Sequence, residues 1–168
     1  MKPTPQLAVA LFLCALFGAA QAADQDTDVR VTQVQQTVIR MELLPDVTFA
    51  RAVEAMTQKA KSLHLASLGH QRLDTKAQME GRKPHLEILQ FCDPGDALAM
   101  VKINPLLAAY LPCRIALTSD QQGRRWILMP NYDILVENRS LPPRLQEIAI
   151  RINQKLLMVM TAGATGGS

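Results

Sequence analysis

Polar and apolar positions along the chain change period several times, and each change marks an element. Thr37, Ile39, Met41 and Leu43 alternate with Val38, Arg40 and Glu42, the period of two expected of a half-buried strand that Pro45 and Asp46 end. After Thr48, a helix-capping residue, Phe49, Ala52, Val53, Met56, Ala60 and Leu63 recur at helical spacing and predict a long amphipathic helix. Residues 63–68 read as loop or as a short strand closed by Gly69, and 74–81 as one or two helical turns between Asp74 and Gly81. Residues 86–91 form a strand, and Asp93-Pro94 then starts a helix that Asn104-Pro105 ends. Cys113, Ile115 and Leu117 alternate with Arg114, Ala116 and Thr118 as a further strand, Asp120-Gln121-Gln122-Gly123 reverses the chain, and 124–129 returns. Ser140, Pro142 and Pro143 open a last helix carrying Leu145, Ile148, Ala149, Ile152, Leu156 and Val159 on one face, with Gly163 as its stop. The reading is an α+β two-layer sandwich: a mostly antiparallel sheet of four or five strands with two long amphipathic helices on one face.

The first residues change the picture by giving an address. Lys2, an apolar run over 7–20 and Ala20-Gln21-Ala22 read as a signal peptide over 1–22 cleaved near Ala22, which predicts a periplasmic protein. The run is too short to span a membrane, and Leu13 before Cys14 does not fit a lipid-attachment signal. The mature chain reads as a single domain over 23–161, roughly 145 residues with the tail and able to bury about two thirds of its unfolded surface. Residues 162–168 are small and Gly-rich and read as a disordered tail. The 18 basic and 15 acidic residues leave a formal charge of +3 without clustering, so neither nucleic acid nor an anionic membrane surface is an expected partner.

Cys92 and Cys113 are the cysteines left after the leader, one closing a strand and the other opening the next. If those strands are antiparallel neighbours, both sulfurs lie at one end of the sheet; a parallel crossover would put them roughly 20 Å apart. In an oxidising compartment the expectation is a structural disulfide, worth roughly 3 kcal/mol for a loop of about twenty residues. The alternative is a redox, sulfur-handling or soft-metal site. Cys92 stands directly before a helix start, where unpaired amides favour a thiolate, although Asp93 opposes it with a negative charge. Asp93, Pro94, Pro112 and Arg114 would surround such a ligand site.

Other candidates are weaker. His85-Leu86-Glu87 with Pro112-Cys113 imitates half of a deaminase zinc signature, but Ala116 stands where the second cysteine is required. The seven methionines after the leader, with Cys92, Cys113 and three histidines, are copper or haem ligand types, yet Met41 and Met56 fall on apolar faces, Met158-Val159-Met160 ends an amphipathic helix, His64 and His70 read as surface residues, and no CxxCH is present. No cofactor is therefore predicted, with copper or haem as the alternative. Asn138-Arg139-Ser140 is a three-residue glycosylation match of the kind that arises by chance. No nucleophile set or phosphate-binding glycine loop is recognisable, so catalysis rests on the cysteines alone.

The strand Leu86-Glu87-Ile88-Leu89-Gln90-Phe91, Asp93-Pro94 with Ala97, Leu111-Pro112 before the strand Arg114 to Thr118, Asp120 and Gly123 in the turn, and Pro130 together resemble the bacterial domain-of-unknown-function 302 family. The resemblance runs from Phe49 to Leu135 and implies a small α+β domain that self-associates as a homodimer and has no established activity. Cys92 and Cys113 depart from the family's usual pattern, so the chain looks like an exported, cysteine-containing branch. The expected function is that of a periplasmic protein binding a small molecule or accompanying another protein, with a purely structural interaction module as a further alternative.

Overall fold

Five strands and three helices carry out this pattern in the computed structural model, which describes residues 37–73, 85–133 and 142–167, all within the unit Gln35–Ser168. In chain order they are β1 (Val38–Glu42), α1 (Phe49–Ser62), β2 (Ala66–Arg72), β3 (Leu86–Cys92), α2 (Pro94–Ile103), a 3₁₀ helix (Pro105–Tyr110), β4 (Cys113–Ser119), β5 (Arg125–Pro130) and α3 (Pro143–Thr165). The sheet order is β1-β5-β4-β3-β2, and every neighbouring pair is antiparallel. This is the α+β architecture that the periodicities predict. The helical turns expected over 74–81 and the Ser140 helix start lie outside the described residues, as does the leader.

Alternation along the strands sorts one face into the core. Leu89 pairs with Ile115 and Leu117 with Ile127, and all four are buried with Phe91 and Met129. Their neighbours Ile88, Ala116 and Leu128 stay half-buried on the other face. Met56 and Ala60 of α1 and Ile148, Ile152, Leu156 and Met160 of α3 complete the core cluster. Thr48 caps α1 by accepting from the Arg51 amide at 3.2 Å. The turn before β5 closes as expected, with Asp120 Oδ1 accepting from the Gln122 and Arg124 amides and Gly123 at φ 79°. Among the described residues no helix is long and apolar enough to cross a membrane.

Two glycines read as stops are not stops. β2 passes through Gly69 with a register irregularity between Ser67 and Gly69 and runs on to Arg72. Gly163 lies inside α3, which continues to Thr165 and is capped by Gly166 at φ 71°. A helix stop needs a left-handed residue, and Gly166 supplies it, with the Gly167 amide donating to the Ala162 carbonyl at 2.9 Å. Residues 162–165 are therefore packed helix rather than a loose tail, and Ala164 is buried.

Gly163 serves a close approach instead: a Cβ there would lie 2.6 Å from Met56 Cγ and 2.9 Å from Ile127 Cδ1. Gly163→Ala should thus destabilise the domain by about 1–3 kcal/mol through overpacking, against the ~1 kcal/mol that alanine gains in helix propensity. Urea unfolding would measure it, and unchanged stability would mean that Met56 repacks freely.

Candidate functional site

The antiparallel pairing of β3 and β4 places Phe91 opposite Cys113, so the two cysteines lie at the same end of the sheet, one residue out of register. Cross-strand partners share a face, so Cys92 and Cys113 leave their strands toward alternate faces. Cys92 is the last residue of β3, however, and the chain turns there into α2, which brings both side chains to the wall of one small cavity. The cavity measures about 10 Å³, room for about one water. Leu65, Phe91, Leu111, Ile152 and Leu156 make it apolar. Both cysteines are buried and both are free thiols in this structure, where the sequence leads one to expect a disulfide.

Neither thiol is activated. Burial pushes the Cys92 thiol up, and the charges of Asp93 and Asp96 push it further; its Sγ donates to the Asp93 carbonyl at 3.6 Å. Burial also raises Cys113, with the Tyr132 hydroxyl donating to its sulfur and partly offsetting that rise. Tyr132, itself buried, is pushed well above the ordinary phenol range, first by burial and then by the neighbouring Cys113. The expectation that the helix start would favour a Cys92 thiolate is not met. The amides of Gly95 and Asp96 are taken by Asp93 Oδ1, at 3.0 and 3.2 Å, and do not face the sulfur.

The nearby cations are occupied in the same way. Lys155 Nζ reaches Asp93 Oδ2 at 2.6 Å, and Arg151 grips Asp96 through Nη2 at 2.6 Å and Nε at 3.1 Å, tying the start of α2 to α3. Of the expected surroundings, only Asp93 lines the cavity. Pro94 is the exposed first residue of α2, Pro112 is half-buried after a cis Leu111–Pro112 bond, and Arg114 is exposed on the opposite face of β4 from Cys113.

The Lys155 hydrogen bond is the main reason that the Asp93 carboxyl is held below the usual aspartate value. A depressed folded value stabilises the fold above the unfolded carboxylate range, and that stability is lost as pH falls through the folded value. Asp93→Asn retains a capping oxygen and removes only the charge. The variant should unfold at a lower temperature than the parent at neutral pH, and the two should converge in strong acid. Parallel melting curves down to the acid limit test this.

A second cluster brings His70, Arg72 and Phe49, which the sequence gives no reason to connect, to the His85 and Glu87 pair that shares one face of the strand. Glu87 is buried, with His70 Nε2 2.7 Å from Oε2 and His85 Nε2 2.8 Å from Oε1. Phe49 stacks on the His85 ring at 3.7 Å, and Arg72 Nε stands 4.0 Å from Oε1. The imidazoles let a carboxylate sit on the core face of β3, where burial without partners would cost several kcal/mol. Among the described residues no group of three or more His, Cys, Asp or Glu side chains is placed to hold a metal.

A wider open space lies elsewhere among the described residues, in a trough of about 530 Å³ between α1 and α3. Small residues, Ala55 on α1 and Ala162 and Gly167 from α3 onward, leave it open, and Met158 forms an exposed apolar wall. Its size is that of a small-molecule site.

The chain also has relatives. The family model described as "Domain of unknown function DUF302" matches residues 39–162. The crystal structure of an uncharacterised conserved DUF302 protein from Bacillus stearothermophilus is 22% identical, with a TM-score of 0.63 over 75% of this chain and 97% of that one, a likeness of fold. No curated protein matches the chain.

Proposed function

The chain belongs to the DUF302 family, a grouping that carries no activity, and from that premise we propose a periplasmic binding or accessory protein stabilised by a Cys92–Cys113 disulfide. The observation that carries the binding reading is the trough between α1 and α3, which has the volume of a ligand site and an exposed apolar wall. Export rests on the leader-like residues 1–22.

The thiol pair supports the structural role over the redox one. A thiol that turns over must reach its thiolate, and here burial and two carboxylates oppose it. An exported dithiol that passes two electrons to an oxidising disulfide partner and releases two protons becomes a stable cross-link.

Replacing both cysteines by serine separates the readings. The binding reading expects lower stability with the trough's ligand binding intact. Loss of a thiol-dependent activity with unchanged stability would overturn it in favour of a redox protein.

A further inference from the structure

The sheet has a second face, and no described helix packs on it. Leu86 and Ile88 of β3, Ala116 of β4, Trp126 and Leu128 of β5 and Val38 of β1 lie on that side, and none of them joins the core cluster. The register sets the residues of this face in rows across the strands. One row runs Arg40, Leu128, Ala116, Ile88 and Gln71, and the next runs Glu42, Trp126, Thr118 and Leu86. Five strands and three such rows give a face of roughly 24 by 20 Å. Two of these faces laid together would remove roughly 1,000 Å² from water, the area at which a specific pair becomes stable.

The charges on the face are uncommitted. The Arg40 guanidinium lies 5.1 Å from the centre of the Trp126 ring and has no carboxylate partner among the described residues. The side chains of Glu42 and Arg114 are exposed and likewise without an ion pair or hydrogen bond there.

The order of these charges along the strands is self-complementary. A two-fold axis lying across the strands sets each strand on its own copy, running the other way, so that residues exchange places about the axis. With the axis between the two rows, Arg40 meets Glu42 of the second copy, and Glu42 meets its Arg40. On β5 Trp126 then meets Leu128 of the second copy, on β3 Ile88 meets Leu86, and Arg114 on β4 faces Asp120 just past that strand's end. An axis through the Arg40 row would instead set Arg40 against Arg40. Moved one step toward Arg114, it would set Arg40 against Val38 and Arg114 against Ala116, with no charge paired.

We propose that the outer face of the sheet is an interface for a second copy of this chain, with Arg40 and Glu42 pairing across a two-fold axis and Trp126, Leu128, Ile88 and Leu86 packing between them. This goes beyond the binding reading and does not depend on it.

The test is sedimentation equilibrium of the protein from about 1 to about 100 µM, the range in which an interface of this size dissociates. A monomer–dimer equilibrium is expected. Trp126 is the single tryptophan of the chain, so its emission should shift to the red on dilution over the same range. Arg40→Glu and Glu42→Arg should each weaken association at least about tenfold, because each sets like charges together twice. The two combined should restore it. Both positions are exposed, so the melting temperature of the dilute monomer serves as the control for folding. Ile88→Glu should leave a monomer.

A monomer at every concentration, a dimer whose Trp126 emission ignores dilution, or one indifferent to Ile88→Glu would overturn the interface. A double charge reversal that associates no better than either single one would overturn the pairing of Arg40 with Glu42 and the axis that it defines.

Discussion

Phe91→Ala is expected to destabilise the domain by about 3–5 kcal/mol, the cost of deleting a fully buried ring that its neighbours cannot replace. Phe91 has no exposed surface, sits across from Cys113 in the β3–β4 register, and borders the 10 Å³ cavity. Its removal would merge the ring's volume with that cavity. Leu111 and Leu156 are held by the turn into β4 and by α3, so the wall collapses only in part. The lower urea midpoint should come with an unchanged slope, since the unfolded chain exposes nearly the same area. Position adds a second signature: in reduced protein both thiols border the enlarged void, so Cys92 and Cys113 should alkylate faster than in the parent. A loss under about 1 kcal/mol would mean that the corner between β3 and α2 relaxes onto the void.

How far this arrangement is legible in the sequence depends on the range of the physics involved. Four of the five strands and both long helices follow from local periodicity, and the caps at Thr48 and Asp93 from local chemistry, whereas β2 runs through the Gly69 that reads as its end. The 3₁₀ helix after Asn104 escapes that reading because a six-residue apolar run has no decisive period, and Leu106 within it is exposed. Gly163 reads as a stop because glycine marks a left-handed cap and a close approach with the same letter.

The clusters lie beyond reach for a related reason. His70 meets Glu87 only through the β2–β3 register, which places Arg72 opposite Glu87 and His70 opposite Leu89. Tyr132 reaches Cys113 from beyond β5, with no pattern in the sequence to connect them. At Cys92 the helix start and Asp93 are opposing forces, and both are visible in the sequence. The winner is decided first by the burial of the thiol, to which the charges of Asp93 and Asp96 add, and by Asp93 taking the first amides for itself.

The oxidised protein should be more stable than the double Cys92→Ser, Cys113→Ser variant by roughly 3 kcal/mol, the chain-entropy value for a closed loop of about twenty residues. The loop that the bond would close contains α2 and the 3₁₀ helix, which reach the rest of the fold through Asp93–Lys155, Asp96–Arg151 and the buried Met100 and Leu107. In the unfolded chain that whole segment would be tethered, which is where the stabilisation arises. The one-residue offset between Cys92 and Cys113 sets the other side of the balance, because strain in reaching across it would subtract from the entropic gain. Intact mass of the protein after alkylation without reductant reads the state of Cys92 and Cys113 directly, and no adduct on either is expected. Adding reductant should lower the urea midpoint of the parent to that of a variant carrying neither sulfur. Two adducts on protein isolated without reductant, or a midpoint indifferent to reductant, would leave the pair as buried core thiols and remove the disulfide from the account of stability.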